Sequence, residues 1–399
     1  MLKVVGRILN IAVWLGFIFL VVLLLAVPLT STVMLRLGYT PSKTVVGWME
    51  LVQSVQIPAM QLFCYAWIFF VGSCFASFLN VVAWRVPRGE SILGSSHCPQ
   101  CNIKLKFPTT NVPVLGWLKN GGRCSNCDNS IPVRYLIAEL ILGSTFLILF
   151  VTQTVSGGGT IPFRALNHYK GIENVLFAPQ ADLLVTLAFH LTILSLIFTL
   201  AIAATEKFKA PISLILFGLI ATVGFHCLPS SIGIVDFQFG NWENEFPSNG
   251  FLKLLKNPAD FAIAAGLGMV AAGLCFLVIH TTNRNRSHGA FASLLLIGIG
   301  FGWQTVLSVT VLYFLISFCL RINTSGKIFL ATLLHLCLWR LQSVCQWWPG
   351  PASGLQQLVC GAVYIVILAI IARTLTTSPP LESENESLGD LPTTVSDLE

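Results

Sequence analysis

Charged residues are scarce in this chain of 399 residues: Asp, Glu, Lys and Arg together make up 10% of it, whereas 55% is hydrophobic. The mean hydropathy is +0.78. Soluble domains carry about 25% charged residues. The shortage therefore excludes an ordinary soluble protein and predicts an all-α polytopic membrane protein. The few basic residues are spread over short loops, so the sequence does not indicate binding to nucleic acid.

Apolar runs of about 20 residues can cross a lipid bilayer as helices, and the sequence predicts about ten such transmembrane helices. The runs lie near 8–29, 60–84, 135–153, 182–203, 211–228, 259–281, 304–320, 328–347 and 355–374, with a shorter glycine-rich run at 290–303. The loop 85–134 carries seven Lys and Arg against two acids, so the positive-inside rule makes it cytoplasmic. Alternation then places the turns 204–210 and 282–289, and both termini, on the cytoplasmic side.

The two ends of the chain differ from the regions between them. Residues 1–59 are expected to be an extra membrane anchor and linker, because their apolar run is too long for a signal peptide and no A-x-A site follows it. The run at 355–374 predicts an extra C-terminal helix. Residues 378–399 hold six acids and no Lys or Arg. This segment has too little apolar material to form a core, which predicts a disordered acidic tail.

Four of the twelve cysteines form two C-x2-C motifs separated by 22 residues: Cys98, Cys101, Cys124 and Cys127. Four thiolates at this spacing predict a structural Zn²⁺ site. The metal would stabilise a loop domain, 85–134, that is too small to build an adequate core of its own. Two disulfides or a redox pair are the competing interpretation, which a cytoplasmic location disfavours.

The sequence around these cysteines resembles the amino-terminal part of the type IV prepilin peptidases, a family of aspartic peptidases. The resemblance lies within residues 60–153, in the stretches ASFLNVVAWRVPRGES, CPQC, NVPVLGWLKNGGRCSNC and IPVRYLIAEL. Ala76 departs from the family, which usually has Gly at that position. Members are leader peptidases and N-methyltransferases of the bacterial inner membrane. The resemblance therefore implies that location, with prepilin or pseudopilin leader peptides as partners, and leaves the oligomeric state open.

The membrane region 182–347 resembles the peptidase part of the family in a degenerate form. The family carries one catalytic Asp in a motif like I-D-x5-L-P-D and a second in G-x-G-D-x-K. In AIAATEKFKAPI, aligning on the proline places the first Asp position at Ala204, and aligning on the isoleucine places it at Ala203. In GAFASLLLIGIGFGWQ the second Asp position falls at Ala290. The resemblance thus implies a member without its two aspartates.

An aspartic peptidase needs two carboxylates beside one water molecule, one ionised and one protonated. Alanine supplies neither, so the catalytic residues remain unknown from sequence. Glu206 is the remaining candidate acid, but on a continuous helix it would point about 200° away from Ala204. With Lys207 and Lys209 it is better interpreted as a charge cluster at the membrane interface.

Two other hypotheses stay open at this point. The first is an active family member that retains only N-methylation or cleaves through an unrecognised acid. The second is a transporter whose short glycine-rich spans line a substrate site. The sequence contains no glycine-rich Rossmann fingerprint for S-adenosylmethionine.

Glu139 is an acid one helical turn inside the membrane, where an ionisable side chain is a functional candidate by default. The family also carries an acid here, and we interpret Glu139 as a structural partner of Arg134 or Arg85. Asp182 is expected at the opposite face of the membrane, where it cannot pair with Glu206.

Overall fold

The computed structural model describes residues 43–94, 98, 100–104, 112–162, 164, 169–226, 258–282, 288–345, 348 and 355–377. Its helices are α1 (Lys43–Arg85), α2 (Leu115–Lys119), α3 (Arg134–Leu149), α4 (Ile172–Phe177), α5 (Ala181–Thr205), α6 (Ile212–His226), α7 (Pro258–Thr282), α8 (His288–Phe301), α9 (Trp303–Cys319), α10 (Thr324–Val344) and α11 (Leu355–Thr377). A π-helical turn, Phe150–Val155, continues α3. The described part is therefore mostly helical, as expected. The predicted span at 8–29 and the acidic tail lie outside the described residues.

Three helices of the described part are long and apolar enough to cross a membrane alone: Ile57–Arg88, Arg134–Val155 and Ala181–Thr205. Helices α9 and α10 pass the same test only together, and they bend by 119° at the break between them. The prediction of about ten full spans is thus not confirmed, since the described residues contain three, or four if the bent pair counts as one.

Two other apolar helices of the described part are shorter than a full span: Ile212–Phe225 and Gly289–Phe301. The apolar stretches Ala265–His280 and Val359–Thr374 lie within the longer helices α7 and α11. A helix of 14 residues is about 21 Å long, whereas the hydrocarbon core is about 30 Å thick. Gly302, at φ 87°, separates α8 from α9 in the middle of an apolar stretch. The break lies beside the boundary that the sequence predicts between the run 290–303 and the run 304–320.

Helix α5 lies at the centre of the bundle and contacts α1, α3, α6, α8 and α10. Its sequence is apolar on all sides, which suits a helix covered all round. Helix α1, by contrast, is mostly exposed on the outside of the bundle. The last turn of α5, which holds Ala204, lies beside the first residues of α8 and α10.

Close helix crossings depend on glycine. A Cβ atom on Gly268 in α7 would lie 1.9 Å from the carbonyl oxygen of Gly298 in α8. A Cβ atom on Gly143 in α3 would lie 2.5 Å from Ser73 Oγ in α1. Small residues let helix backbones approach in this way inside membranes.

We predict that Gly268→Ala lowers the thermal stability of the purified protein, because the new methyl group would force α7 away from α8. Overpacking of this kind costs about 1–3 kcal/mol. Gly273→Ala, on the same helix, is the matched control, since a Cβ atom there meets nothing within 4 Å. Equal melting temperatures for the two variants would contradict the close crossing.

The loop 85–134, called the zinc loop after its predicted metal, lies at the same end of the bundle as the turn after α5. The Glu206 carboxylate pairs with Arg134, and the ring of Phe208 packs edge-on against Trp84 at 5.8 Å. Asp182, at the start of α5, lies at the other end. The grouping of the two loops agrees with the charge-based alternation, and the side of the membrane that they face remains a prediction.

Candidate metal centre and the site of the two alanines

The two C-x2-C motifs fold into two turns with the same backbone pattern. In each turn the first cysteine, Cys98 or Cys124, donates its N–H to the carbonyl five residues later, at 2.9 Å in both cases. The residue after each second cysteine, Asn102 or Asp128, has a positive φ of 53° or 56°. Asn and Asp tolerate this left-handed conformation better than most residues. The local sequence therefore builds two equivalent turns, each presenting two sulfurs.

The two turns face each other and bring all four sulfurs together. The Sγ atoms of Cys98 and Cys127 are 3.8 Å apart, as are those of Cys101 and Cys124. All four Sγ atoms lie within 4.8 Å of one another. Around a tetrahedral Zn²⁺ with Zn–S bonds of about 2.3 Å, neighbouring sulfurs are about 3.8 Å apart. The four cysteines are therefore placed to hold one metal ion.

The thiols of this cluster differ in acidity. The pKa of Cys101 is lowered to about 6, chiefly because the backbone N–H of Ile103 donates to its thiolate. The pKa of Cys124 is lowered by backbone N–H groups, that of Cys127 first. The backbone N–H of Asn129 lowers the pKa of Cys127, but burial and the neighbouring thiols outweigh it and raise this pKa to about 12. A bound divalent cation would compensate the charge of four thiolates and displace the remaining protons.

The chain between the two turns is held by contacts of Trp117 with Gly122 and Ile131. Gly122 has φ 69°, and a Cβ atom there would lie 2.5 Å from the ring of Trp117. The indole N–H of Trp117 donates to the Ile131 carbonyl at 3.2 Å, and the Ile131 N–H donates to the Gly122 carbonyl at 2.7 Å. These contacts position the second turn against α2.

Glu139 anchors the zinc loop to α3, although not through the partners expected from sequence. Its Oε2 accepts a hydrogen bond from the backbone N–H of Val114 at 2.6 Å. Arg134 pairs with Glu206 instead, and Arg85 donates to backbone carbonyls. Val114 has φ 61°, a conformation that β-branched residues rarely adopt. A strained peptide group therefore binds a buried carboxylate, which sequence spacing gave no reason to expect.

We predict that Glu139→Leu loosens the zinc loop, because the N–H of Val114 loses its acceptor. A hydrogen bond to a charged group contributes about 1.5–3 kcal/mol. Hydrogen exchange over residues 112–131 should become faster in this variant. Glu139→Gln keeps an acceptor oxygen and should exchange more slowly than Glu139→Leu; identical protection in both variants would contradict this role.

The two degenerate motifs meet at the junction of α5 and α8. A Cβ atom on Gly289 would lie 3.7 Å from Ala204 Cβ and 3.2 Å from the Leu200 carbonyl oxygen. Ala203 and Ala290 are 1% and 0% exposed. The chain therefore brings together the neighbourhoods of both expected aspartate positions, with alanine side chains and close packing at their centre.

Helix α10 closes this junction with polar side chains that the sequence reasoning missed. Asn323 caps α10, and its Nδ2 donates to the Ala201 carbonyl at 3.0 Å and to Thr205 Oγ1 at 2.7 Å. Ser325 Oγ is fully buried and would lie 2.9 Å from a Cβ atom on Gly289. An Asn-Thr-Ser run before an apolar segment is a helix start signal and would have located this cap, but not its contacts with α5.

Glu206 follows the last residue of α5 and caps that helix. Lys207, at φ 60°, takes the left-handed position of a Schellman motif with its two backbone hydrogen bonds. The predicted charge cluster grouped Glu206 with Lys207 and Lys209, but in the structure the Glu206 carboxylate pairs with Arg134.

A helical membrane protein with a four-cysteine metal site in a loop at one end is the class that this fold and site define. Residues 70–153 match the family model described as the bacterial peptidase A24 N-terminal domain. Residues 70–153 are therefore similar to the amino-terminal domain of the prepilin peptidases, as the sequence motifs suggested.

Similarity to known proteins is confined to part of the chain. A prepilin leader peptidase/N-methyltransferase of Myxococcus xanthus is 44% identical over 80 residues, which cover 20% of this chain and 24% of the relative. A type 4 prepilin-like proteins leader peptide-processing enzyme of Escherichia coli is 34% identical over 105 residues, covering 22% and 39%. A prepilin leader peptidase/N-methyltransferase of Vibrio cholerae is 34% identical over 110 residues, covering 25% and 41%. The chain thus spans less than half the length of these curated relatives. No solved structure matches it significantly.

Proposed function

We propose that this protein is a multi-pass inner-membrane member of the prepilin peptidase family that binds prepilin-type leader peptides without cleaving them. It would act as a non-catalytic homologue in pilus or type II secretion assembly, with both termini in the cytoplasm. The observation that carries the proposal is the A24 N-terminal domain beside Ala204 and Ala290, where the family's motifs have aspartate. The names of the relatives, which describe prepilin leader processing, support the substrate class.

The packing at the α5–α8 junction supports the absence of cleavage. Hydrolysis by two carboxylates requires both groups and a water molecule between them. Ala290 has no exposed surface, and backbone and side-chain atoms of α5 and α10 approach its neighbour Gly289 closely. Glu206 would supply only one carboxylate, and that carboxylate is bound to Arg134. The α5–α8 junction therefore lacks the two carboxylates that hydrolysis requires.

The four cysteines are proposed to hold one structural zinc ion. Four thiolates complete a tetrahedral shell and leave no position for water or substrate, so the metal would stabilise the loop rather than take part in a reaction. Zinc in this loop would keep Glu139, Val114 and the basic residues around Arg134 in place beside the α5–α8 junction.

Expression with a prepilin, in membranes that lack any other prepilin peptidase, tests the proposal. We expect the prepilin to stay uncleaved and to co-purify with the protein through its leader. A pilin without the leader is the matched control and should not co-purify. Cleavage by the wild-type protein, or equal recovery of the leaderless pilin, would overturn the proposal.

The alternative is an active family member. The same expression experiment distinguishes it from the non-catalytic homologue. If cleavage occurs and Glu206→Gln abolishes it, Glu206 is a catalytic acid. If the prepilin stays uncleaved but the leaderless pilin gains the mass of a methyl group only when this protein is present, the protein retains N-methylation without peptidase activity.

A further inference from the structure

A second group of buried polar side chains lies in the half of the bundle away from the zinc loop. It comprises Gln153 after α3, His190 in α5, Gln304 and Ser308 in α9, and His335 in α10. All five are between 0% and 7% exposed. Buried polar and ionisable side chains within membrane helices are expensive to keep and commonly mark functional positions.

This buried polar group is separate from the site of the two alanines. Along α5, His190 precedes Ala204 by 14 residues, or about 21 Å at 1.5 Å per residue. His190 is only eight residues from Asp182, which lies at the opposite end of the bundle. Nothing in the proposed leader binding uses these side chains.

Hydrogen bonds and rings connect the members of the group. His190 Nδ1 is 2.9 Å from Gln153 Oε1, and His335 Nδ1 is 2.9 Å from Ser308 Oγ. The Trp339 ring is close to both histidines, with its centroid 5.9 Å from the ring of His190 and 5.7 Å from that of His335. The two imidazoles therefore belong to one cluster.

Helix α9 contributes a further amide to this cluster. Phe301, just before α9, lies 5.3 Å from the His190 ring by centroids. Gln304 is one turn before Ser308 and therefore on the same face of α9. Its amide thus extends the polar face that α9 turns toward His335.

Three polar atoms of the cluster have no hydrogen-bond partner among the residues that the structure describes: Gln153 Nε2, Gln304 Oε1 and His335 Nε2. An unsatisfied buried donor or acceptor costs about 1–3 kcal/mol. A surrounding membrane supplies no hydrogen bonds, so the partners must lie inside the protein.

The chemistry of these atoms points to a neutral ligand that both donates and accepts. The orphan atoms include an amide donor and an amide acceptor, and the described side chains of the cluster are amides, hydroxyls, imidazoles and indoles. The neighbouring guanidinium of Arg164 is neutralised by Asp182 at 2.7 Å, so it does not require an anion from the cluster. A metal ion would want carboxylate, thiolate or several imidazole ligands.

We propose that this cluster is a hydrated chamber in which ordered water molecules link His190 and His335. Buried waters typically make about three hydrogen bonds to otherwise unsatisfied groups. Water molecules between the two histidines would satisfy donors on Gln153 and acceptors on Gln304 at once. The chamber is a second polar site of the membrane region, independent of the family's peptidase motifs.

Hydroxyl-radical footprinting of the full-length protein in lipid nanodiscs tests the chamber, because radicals formed from internal water oxidise the side chains beside it. Phe301, at 3% exposed, lies in the cluster, whereas Phe314, at 1% exposed, lies in the apolar core. We expect oxidation of Phe301 to be several times faster than that of Phe314. Equal slow oxidation of both rings would overturn the proposal.

A variant adds an independent check. Gln153→Leu removes both polar atoms of that amide, and Phe301 oxidation should fall toward the rate of Phe314. Thr192→Val on α5 is the control, because its hydroxyl bonds only to the Ala188 carbonyl and is exposed. Unchanged Phe301 oxidation in folded Gln153→Leu protein would contradict the chamber. If Gln153→Leu does not fold, the oxidation rates of Phe301 and Phe314 in the wild-type protein alone test the chamber.

Discussion

Cys98→Ser is expected to abolish stoichiometric zinc binding and to unfold the zinc loop while the membrane helices persist. Cys98 is buried, and its Sγ lies 3.8 Å from that of Cys127, so a serine leaves an incomplete ligand set. Binding of structural zinc contributes about 10–16 kcal/mol in small zinc domains. The helices have an apolar core of their own and do not depend on that energy. Metal analysis of the purified protein and limited proteolysis within 98–131 measure the two effects.

Cys275→Ser is the control matched for burial, since Cys275 is 4% exposed and Cys98 is 5%. It lies in α7 outside the four-cysteine cluster and should leave the zinc content at one ion per molecule. A wild-type protein without zinc, or a Cys98→Ser variant with full zinc content, would refute the metal site. Removal of zinc with a strong chelator should reproduce the proteolysis pattern of Cys98→Ser.

Ala290→Asp is expected to destabilise the protein strongly, although it restores a residue type of the family's motif. Ala290 is fully buried, and its neighbour Gly289 packs against α5 and α10. An unpaired carboxylate in such a place loses its hydration, at a cost of several kcal/mol. The melting temperature of Ala290→Asp should therefore fall well below that of the wild type.

Two control variants show whether the loss of stability in Ala290→Asp comes from the charge, from the size of the side chain or from its position. Ala290→Asn has nearly the same volume without the charge and should cost less than Ala290→Asp. Ala204→Asp is at a partly exposed position in the last turn of α5, so only a small loss is expected there. If Ala290→Asp melts like Ala204→Asp, the junction is open to water, as an active peptidase would require.

The sequence predicted those features of the fold that depend on residues close together in the chain. The C-x2-C motifs predicted four sulfurs around one centre because each motif needs only one turn of backbone to converge its thiols. The motif alignment placed the two expected aspartate positions at Ala204 and Ala290, and a Cβ atom on Gly289 would lie 3.7 Å from that of Ala204. The count of about ten spans is not confirmed, since the described residues contain three helices that pass as spans alone, or four with the bent pair.

Partners of charged groups could not be predicted in the same way. Glu139 was expected to meet Arg134, but it binds the Val114 backbone, and Arg134 reaches Glu206 across 72 residues. Helix capping at Asn323 is visible in sequence, whereas its hydrogen bonds to α5 are not. Such contacts depend on how helix ends meet, which pairwise spacing along the chain does not encode.

By itself the sequence determined the class of protein, the four cysteines that converge, the family of the amino-terminal domain and the alanines at the expected aspartate positions. These follow from composition and from residues close together in the chain. Only the tertiary structure decided what surrounds the alanines, where Glu206 and Glu139 find partners, and that His190 and His335 share one buried polar cluster. The physical reason is that burial and hydrogen bonding are settled between helices distant in sequence, after packing has chosen which faces meet.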